Sequence, residues 1–225
     1  MVARWQVRWL VQARRHPSAW LLAVQLAGVM LYPVMEQTAA GRALFGAFGM
    51  VVLGLALWVV QRSPAGTWVA LLLAIPSVVF SVAGALLDRP TWITTAQLLE
   101  SLLYFYTAAA LIAYMLQDHR VSRDELFAVG ATFTLLAWGF AFTYSVCQQW
   151  YPGSFVGASE GTMRSWMELL YLSFSLLSGV GLSDVHPVLP QARALVMLEQ
   201  FSGVMYVALV VSRLVGLTML NVRKS

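Results

Sequence analysis

The sequence is short of charge. Of its 225 residues, 11% are Asp, Glu, Lys or Arg, while 60% are hydrophobic and the mean hydropathy is +0.72. Soluble domains carry about a quarter charged residues. A water-soluble enzyme of this composition would leave long apolar stretches facing solvent, so that class is excluded. Cysteine is almost missing: Cys147 stands alone, which excludes a disulfide-stapled scaffold. With 16 Gly and 8 Pro, collagen-like and disordered chains fall as well. The three histidines, His16, His119 and His186, are scattered with no second ligand at metal spacing. There is no nucleophile–base pair, phosphate loop or dinucleotide motif. Neither catalysis nor a cofactor is expected.

What the sequence has in plenty is apolar runs. Six occur, at about 19–36, 42–61, 67–87, 94–117, 126–150 and 190–217, each near the ~20 residues that cross a bilayer. Arg42, Arg62-Ser63-Pro64, Asp88-Arg89-Pro90 and a charged stretch at 118–125 separate the first five. The expected fold is an all-α membrane protein with six transmembrane helices, leaving no length for a soluble ligand domain. Residues 1–18 read as an interfacial amphipathic helix, with Trp5 and Trp9 on one face and Arg4, Arg8 and Arg15 on another. Thr38-Ala39-Ala40 resembles a leader cleavage site, but the apolar run before it is long and starts late for a leader.

Cations fix the orientation. Of the 14 Lys and Arg, ten (Arg4, Arg8, Arg14, Arg15, Arg62, Arg120, Arg123, Arg213, Arg223 and Lys224) fall on the N-terminal side, and Arg42, Arg89, Arg164 and Arg193 on the other. This places both termini in the cytoplasm of a cell (inner) membrane protein. Cations flanking apolar spans orient the chain, so the net charge of +4 does not point to nucleic acid.

The fifth connection departs from the rest. It opens with Tyr151-Pro152-Gly153 and holds a second apolar piece, 166–177, followed at once by Ser178-Gly179-Val180-Gly181-Leu182-Ser183-Asp184. Twelve helical residues reach roughly 18 Å, half a crossing. A half-helix ending in a glycine-rich stretch cannot face lipid, because unpaired backbone groups there cost several kcal/mol each. Its C-terminal dipole favours a cation at the bilayer centre, and glycines let carbonyls replace an ion's hydration shell. A re-entrant helix and cation-pore loop is the expectation.

On these residues, 173–193 (SFSLLSGVGLSDVHPVLPQAR) resembles the pore loop of the potassium-channel superfamily, the bacterial two-span ion-channel module. In that family a pore helix leads to Thr-Val-Gly-Tyr-Gly-Asp, then a Pro and an Arg at spacings that Asp184, Pro187 and Arg193 keep. On this alignment Val180 and Gly181 fall on the filter Val and first Gly. Gly179, Leu182 and Ser183 then replace Thr, Tyr and the second Gly, and Ser183 would be strained by about 1–3 kcal/mol in a glycine conformation. A second alignment sets Gly179-Val180-Gly181 on Gly-Tyr-Gly but gives up the three downstream spacings. The resemblance covers about 126–217. It implies a homotetramer, passive flux of a monovalent cation such as potassium, a filter at 178–184, and Gly203 as a hinge in a pore-lining last helix.

The segments are then 1–18, a four-helix membrane region 19–117, a pore domain 126–217 and a tail 218–225. Residues 93–117 contain no Lys or Arg, so the fourth span carries no voltage-gating charge. Glu100 in that span is read either as a sensor or as a carboxylate reaching a polar neighbour. Glu168 and Glu199 are read as braces behind the filter. Arg213 either rings the pore mouth or snorkels to lipid phosphate, and His186 could confer outer pH sensitivity. The rival reading is a non-conducting membrane scaffold or sensor that keeps the pore fold.

Overall fold

A computed structural model describes residues 17–35, 48–49, 51–52, 54–56, 58, 66–117, 123–158, 161 and 163–222. The expected interfacial helix 1–18 and the second apolar run 42–61 lie largely outside them. Six helices have defined bounds: α1 (Pro17–Met35), α2 (Thr67–Leu86), α3 (Pro90–Gln117), α4 (Arg123–Trp150), α5 (Trp166–Leu177) and α6 (Pro190–Val222). Two short strands, β1 (Phe155–Val156) and β2 (His186–Pro187), flank α5 in sequence and pair antiparallel, Phe155 opposite Pro187 and Val156 opposite His186.

Among the described residues, four helices are long and apolar enough to span a bilayer, at Thr67–Leu86, Pro90–Gln117, Asp124–Trp150 and Pro190–Arg213, and Pro17–Pro33 and Trp166–Leu177 are shorter apolar helices. The chain is a mostly helical, multi-pass membrane protein.

The chain divides into two compact units, residues 1–68 with 107–134, and residues 69–106 with 135–225. In the first, α1 lies along the start of α4. Ser18 Oγ donates to Asp124 Oδ2 at 3.0 Å, and Asp124 sits in the first turn of α4, where a carboxylate suits the helix dipole. Further along, a Cβ on Gly130 would come within 2.8 Å of Leu22 Cδ2, so glycine sets the spacing of these helices.

In the second unit α2 and α3 form a hairpin. Gly84 lies against Ile93 and Trp92, and Phe80 meets Trp92 edge-on at 5.9 Å. The turn places Asp88 at φ +48°, the only non-glycine with positive φ among the described residues. Left-handed backbone costs most L-residues roughly 1–2 kcal/mol, and Asp somewhat less. Asp88→Gly is therefore expected to stabilise the fold by about 0.5 kcal/mol, read as a small rise in melting temperature in detergent. An unchanged or lower value would show the turn to be relaxed already.

The same unit joins α3 to α4 through polar and aromatic contacts. Ser101 Oγ bonds the Gly139 carbonyl at 2.9 Å and Thr143 Oγ1 at 2.7 Å, and Ser145 donates to Gln97 at 3.1 Å. Tyr104 packs on Trp138 and Phe142, and Phe105 on Phe140. In a medium without water such paired hydroxyls and amides hold helices together because no solvent competes for them.

Candidate functional site: the half-helix and its glycine loop

α5 begins where the sequence permits a strong start. Ser165 is the N-cap, its hydroxyl accepting from Glu168 N while Glu168 returns a bond to Ser165 N at 2.7 Å. This capping box satisfies two otherwise orphaned donors. Glu168 also meets Arg164 at 3.5 Å. Glu168 is thus placed as a helix cap and ion-pair partner at the start of α5, and the Ser-x-x-Glu spacing could have signalled the cap. The lead-in is clamped from α4: Gln148 donates to Arg164 O at 2.9 Å and accepts from Arg164 N at 2.8 Å. Arg164 further reaches the Gly161 carbonyl. Trp166 packs against Trp138 and Phe142.

The C-terminal end of α5 turns directly into the loop. Ser178 is the C-cap at φ −75°, ψ −14°, and its N–H donates to Phe174 O at 3.1 Å. Gly179 and Gly181 follow at φ +75° and +71°. Gly179 N–H donates to Leu176 O and Gly181 N–H to Ser175 O, both at 3.1 Å. The loop is suspended from the last turn of α5 by these two amides. In a planar trans peptide the carbonyl of the preceding residue points opposite to the N–H. The Ser178 and Val180 carbonyls therefore turn away from α5. Val180 and Leu182 are 71% and 68% exposed in the single chain.

This geometry bears on the two alignments. Positive φ falls at Gly179 and Gly181, two residues apart. Ser183 does not have positive φ, so the strain expected for it is absent: its hydroxyl instead accepts from Val185 N at 3.1 Å, forming a local turn. Asp184 and His186 are exposed, with His186 held in β2 opposite Val156. Val188 N–H donates to Ser154 O at 2.9 Å, tying the outgoing strand to the residues after α4.

Behind the loop, α6 meets α5 at two levels. Glu199, fully buried, accepts from Tyr144 on α4 and from Ser173 on α5. The single Ser173 hydroxyl also lies 2.8 Å from the Ala137 carbonyl on α4. One turn further along each helix, a Cβ on Gly203 would collide with the Leu177 carbonyl oxygen, and the Leu177 C and Cα atoms stand 2.9 Å away. Gly203 is thus the point where the backbone of α5 touches α6. Nothing local in the sequence marks Tyr144 or Ser173 as the partners of Glu199.

The remaining expected residues lie elsewhere. Glu100 is half-buried on α3 and accepts from Ser77 Oγ on α2 at 3.3 Å. Arg213 is half-buried on the later part of α6. Among the described residues no group of three or more His, Cys, Asp or Glu could hold a metal ion. The face of α6 opposite Glu199 and Gly203 carries Leu198, Phe201 and Met205, all exposed in the single chain.

No curated protein and no solved structure matches the chain. Residues 130–219, which take in most of α4, α5, the glycine loop and most of α6, match the family model described as ion channel, a non-catalytic module, and this part of a multi-pass membrane protein is ion-channel-like.

Proposed function

We propose that the chain is one subunit of a homotetrameric channel that conducts monovalent cations passively, with α4, α5 and α6 as its pore domain. The observation that carries this reading is the loop hung from α5 by Gly179 and Gly181, which turns the Ser178 and Val180 carbonyls outward. One chain supplies one carbonyl at each level. A cation stripped of water needs a ring of them, so several copies around an axis are required, and four is the number that the resemblance of the loop implies. Exposure of Val180, Leu182, Phe201 and Met205 in the single chain agrees with surfaces that face an axis or a neighbouring copy. The residues at 178–184 form the ion path, the end of the α5 dipole favours positive charge there, and Gly203 allows α6 to bend. Six crossings, with both termini in the cytoplasm of the inner membrane, agree with the cation distribution. Potassium is the ion that the resemblance of the loop favours. Opening does not depend on gating charges in α3, which has no Lys or Arg.

The test is flux from purified protein in liposomes, with potassium, sodium and chloride gradients imposed separately. Potassium, alone or with sodium, is expected to pass while chloride is held back. Chloride passage would contradict the carbonyl-lined path. Silence from protein shown to be tetrameric would favour a non-conducting scaffold.

A further inference from the structure

The glycine loop has few attachments of its own. Gly179 and Gly181 hang from Leu176 O and Ser175 O, so the Ser178 and Val180 carbonyls go wherever the last turn of α5 goes. Leu177 in that turn rests on Gly203 of α6, and the side-chain hydrogen bonds that tie the turn to its neighbours come from Ser173, one helical step before it. Ser173 reaches Ala137 O on α4 and Glu199 on α6, and Tyr144 on α4 closes the triangle by donating to the same carboxyl group. All three side chains are completely buried. A carboxyl group in a span is costly unless its oxygens are satisfied, and here each oxygen receives a hydroxyl from a different helix.

We propose that Glu199 is a positioning residue for ion discrimination: through Ser173 it sets the height and rotation of α5, and through α5 the spacing of the Ser178 and Val180 carbonyls. This rests on the channel reading above and adds to it a specific control point outside the ion path. Glu199 touches no ion. Its influence travels through one side-chain bond, half a turn of helix and two backbone amides.

Two readouts test it on the full chain in detergent and liposomes. The first needs no current: amide exchange at Gly179 and Gly181. The second is the potassium-to-sodium permeability ratio. Glu199→Leu alone takes the acceptor from the buried Tyr144 hydroxyl and leaves Ser173 only the Ala137 carbonyl, so it could fail to fold. The variant Glu199→Leu/Tyr144→Phe/Ser173→Ala removes the whole polar triangle together, a replacement that buried polar groups often tolerate. It is expected to keep its oligomeric state while both glycine amides exchange faster. The permeability ratio is expected to change about tenfold, which corresponds to roughly 1.4 kcal/mol of differential ion binding. Glu199→Gln, which keeps an acceptor and a polar end in the same shape, is expected to stay close to the parent in both readouts. A folded triple variant with parental amide exchange and a parental ratio overturns the proposal. Faster exchange in the variant of a parent that carries no current supports the positioning role and overturns the channel reading alone.

Discussion

Gly203→Ala is expected to cost about 3 kcal/mol of stability and to abolish flux. The added Cβ would enter the space of the Leu177 carbonyl oxygen, with the Leu177 C and Cα only 2.9 Å away. The obstacle is backbone, which cannot rotate aside as a side chain does. α5 must therefore lift off α6 or α6 must bow. Lifting α5 pulls on Ser173 and Glu199 one turn away and on the glycine loop at the other end. Thermal unfolding in detergent separates this role from that of a hinge. A residue needed only for bending would leave the melting temperature unchanged and alter opening alone. A folded Gly203→Ala protein with the parental melting temperature would show that the contact is slack.

The second large effect concerns the loop backbone. Gly179 and Gly181 have φ of +75° and +71°, where a Cβ costs roughly 1–2 kcal/mol at each site. Relaxing that strain means turning the peptide planes and with them the Ser178 and Val180 carbonyls. On the channel reading, Gly181→Ala and Gly179→Thr are expected to lose most cation flux while the protein stays folded and keeps its oligomeric state, since neither site has a neighbour within 4 Å of an added Cβ. Ser183→Gly is expected to change nothing measurable, because Ser183 is not in a glycine conformation. The same liposome assay reads all three. A rise in potassium preference from Ser183→Gly would show instead that the alignment anchored on Asp184, Pro187 and Arg193 governs the assembled filter.

Much of the scaffold could be read from the sequence because the signals are local. The short apolar piece at 166–177 coincides with α5, bounded by Ser165 and by the first residues of the glycine loop. The run at 94–117 begins earlier in the structure, at Pro90, since proline is at home in the first helical position and the polar Thr91, Thr94 and Thr95 hide the start from a hydropathy count. The terminal span runs on to Val222, past the last strongly apolar stretch. The site was legible in part. The short apolar piece and the glycines after it marked where a helix ends in a turn, and Glu199 stood out as a carboxyl group inside an apolar run.

Which hydroxyls meet Glu199 was not legible, because Tyr144 and Ser173 lie 55 and 26 residues away. Only the packing of three helices brings them together. The conformation of Ser183 was likewise set by its own bond to Val185 N–H, a choice between local turn and strained filter that residue types alone leave open.

The supports of the glycine loop have a consequence for biogenesis. Gly179 and Gly181 hang from α5, Val188 from Ser154, and Arg164 from Gln148, and every one of these pairs lies within a single polypeptide. On the channel reading, a newly made subunit carries these supports of its loop with it, and assembly sets that loop beside those of its neighbours. In a population of mixed subunits, a loop defect would stay with the protomer that carries it, and its influence on the whole would grow stepwise with the number of defective copies.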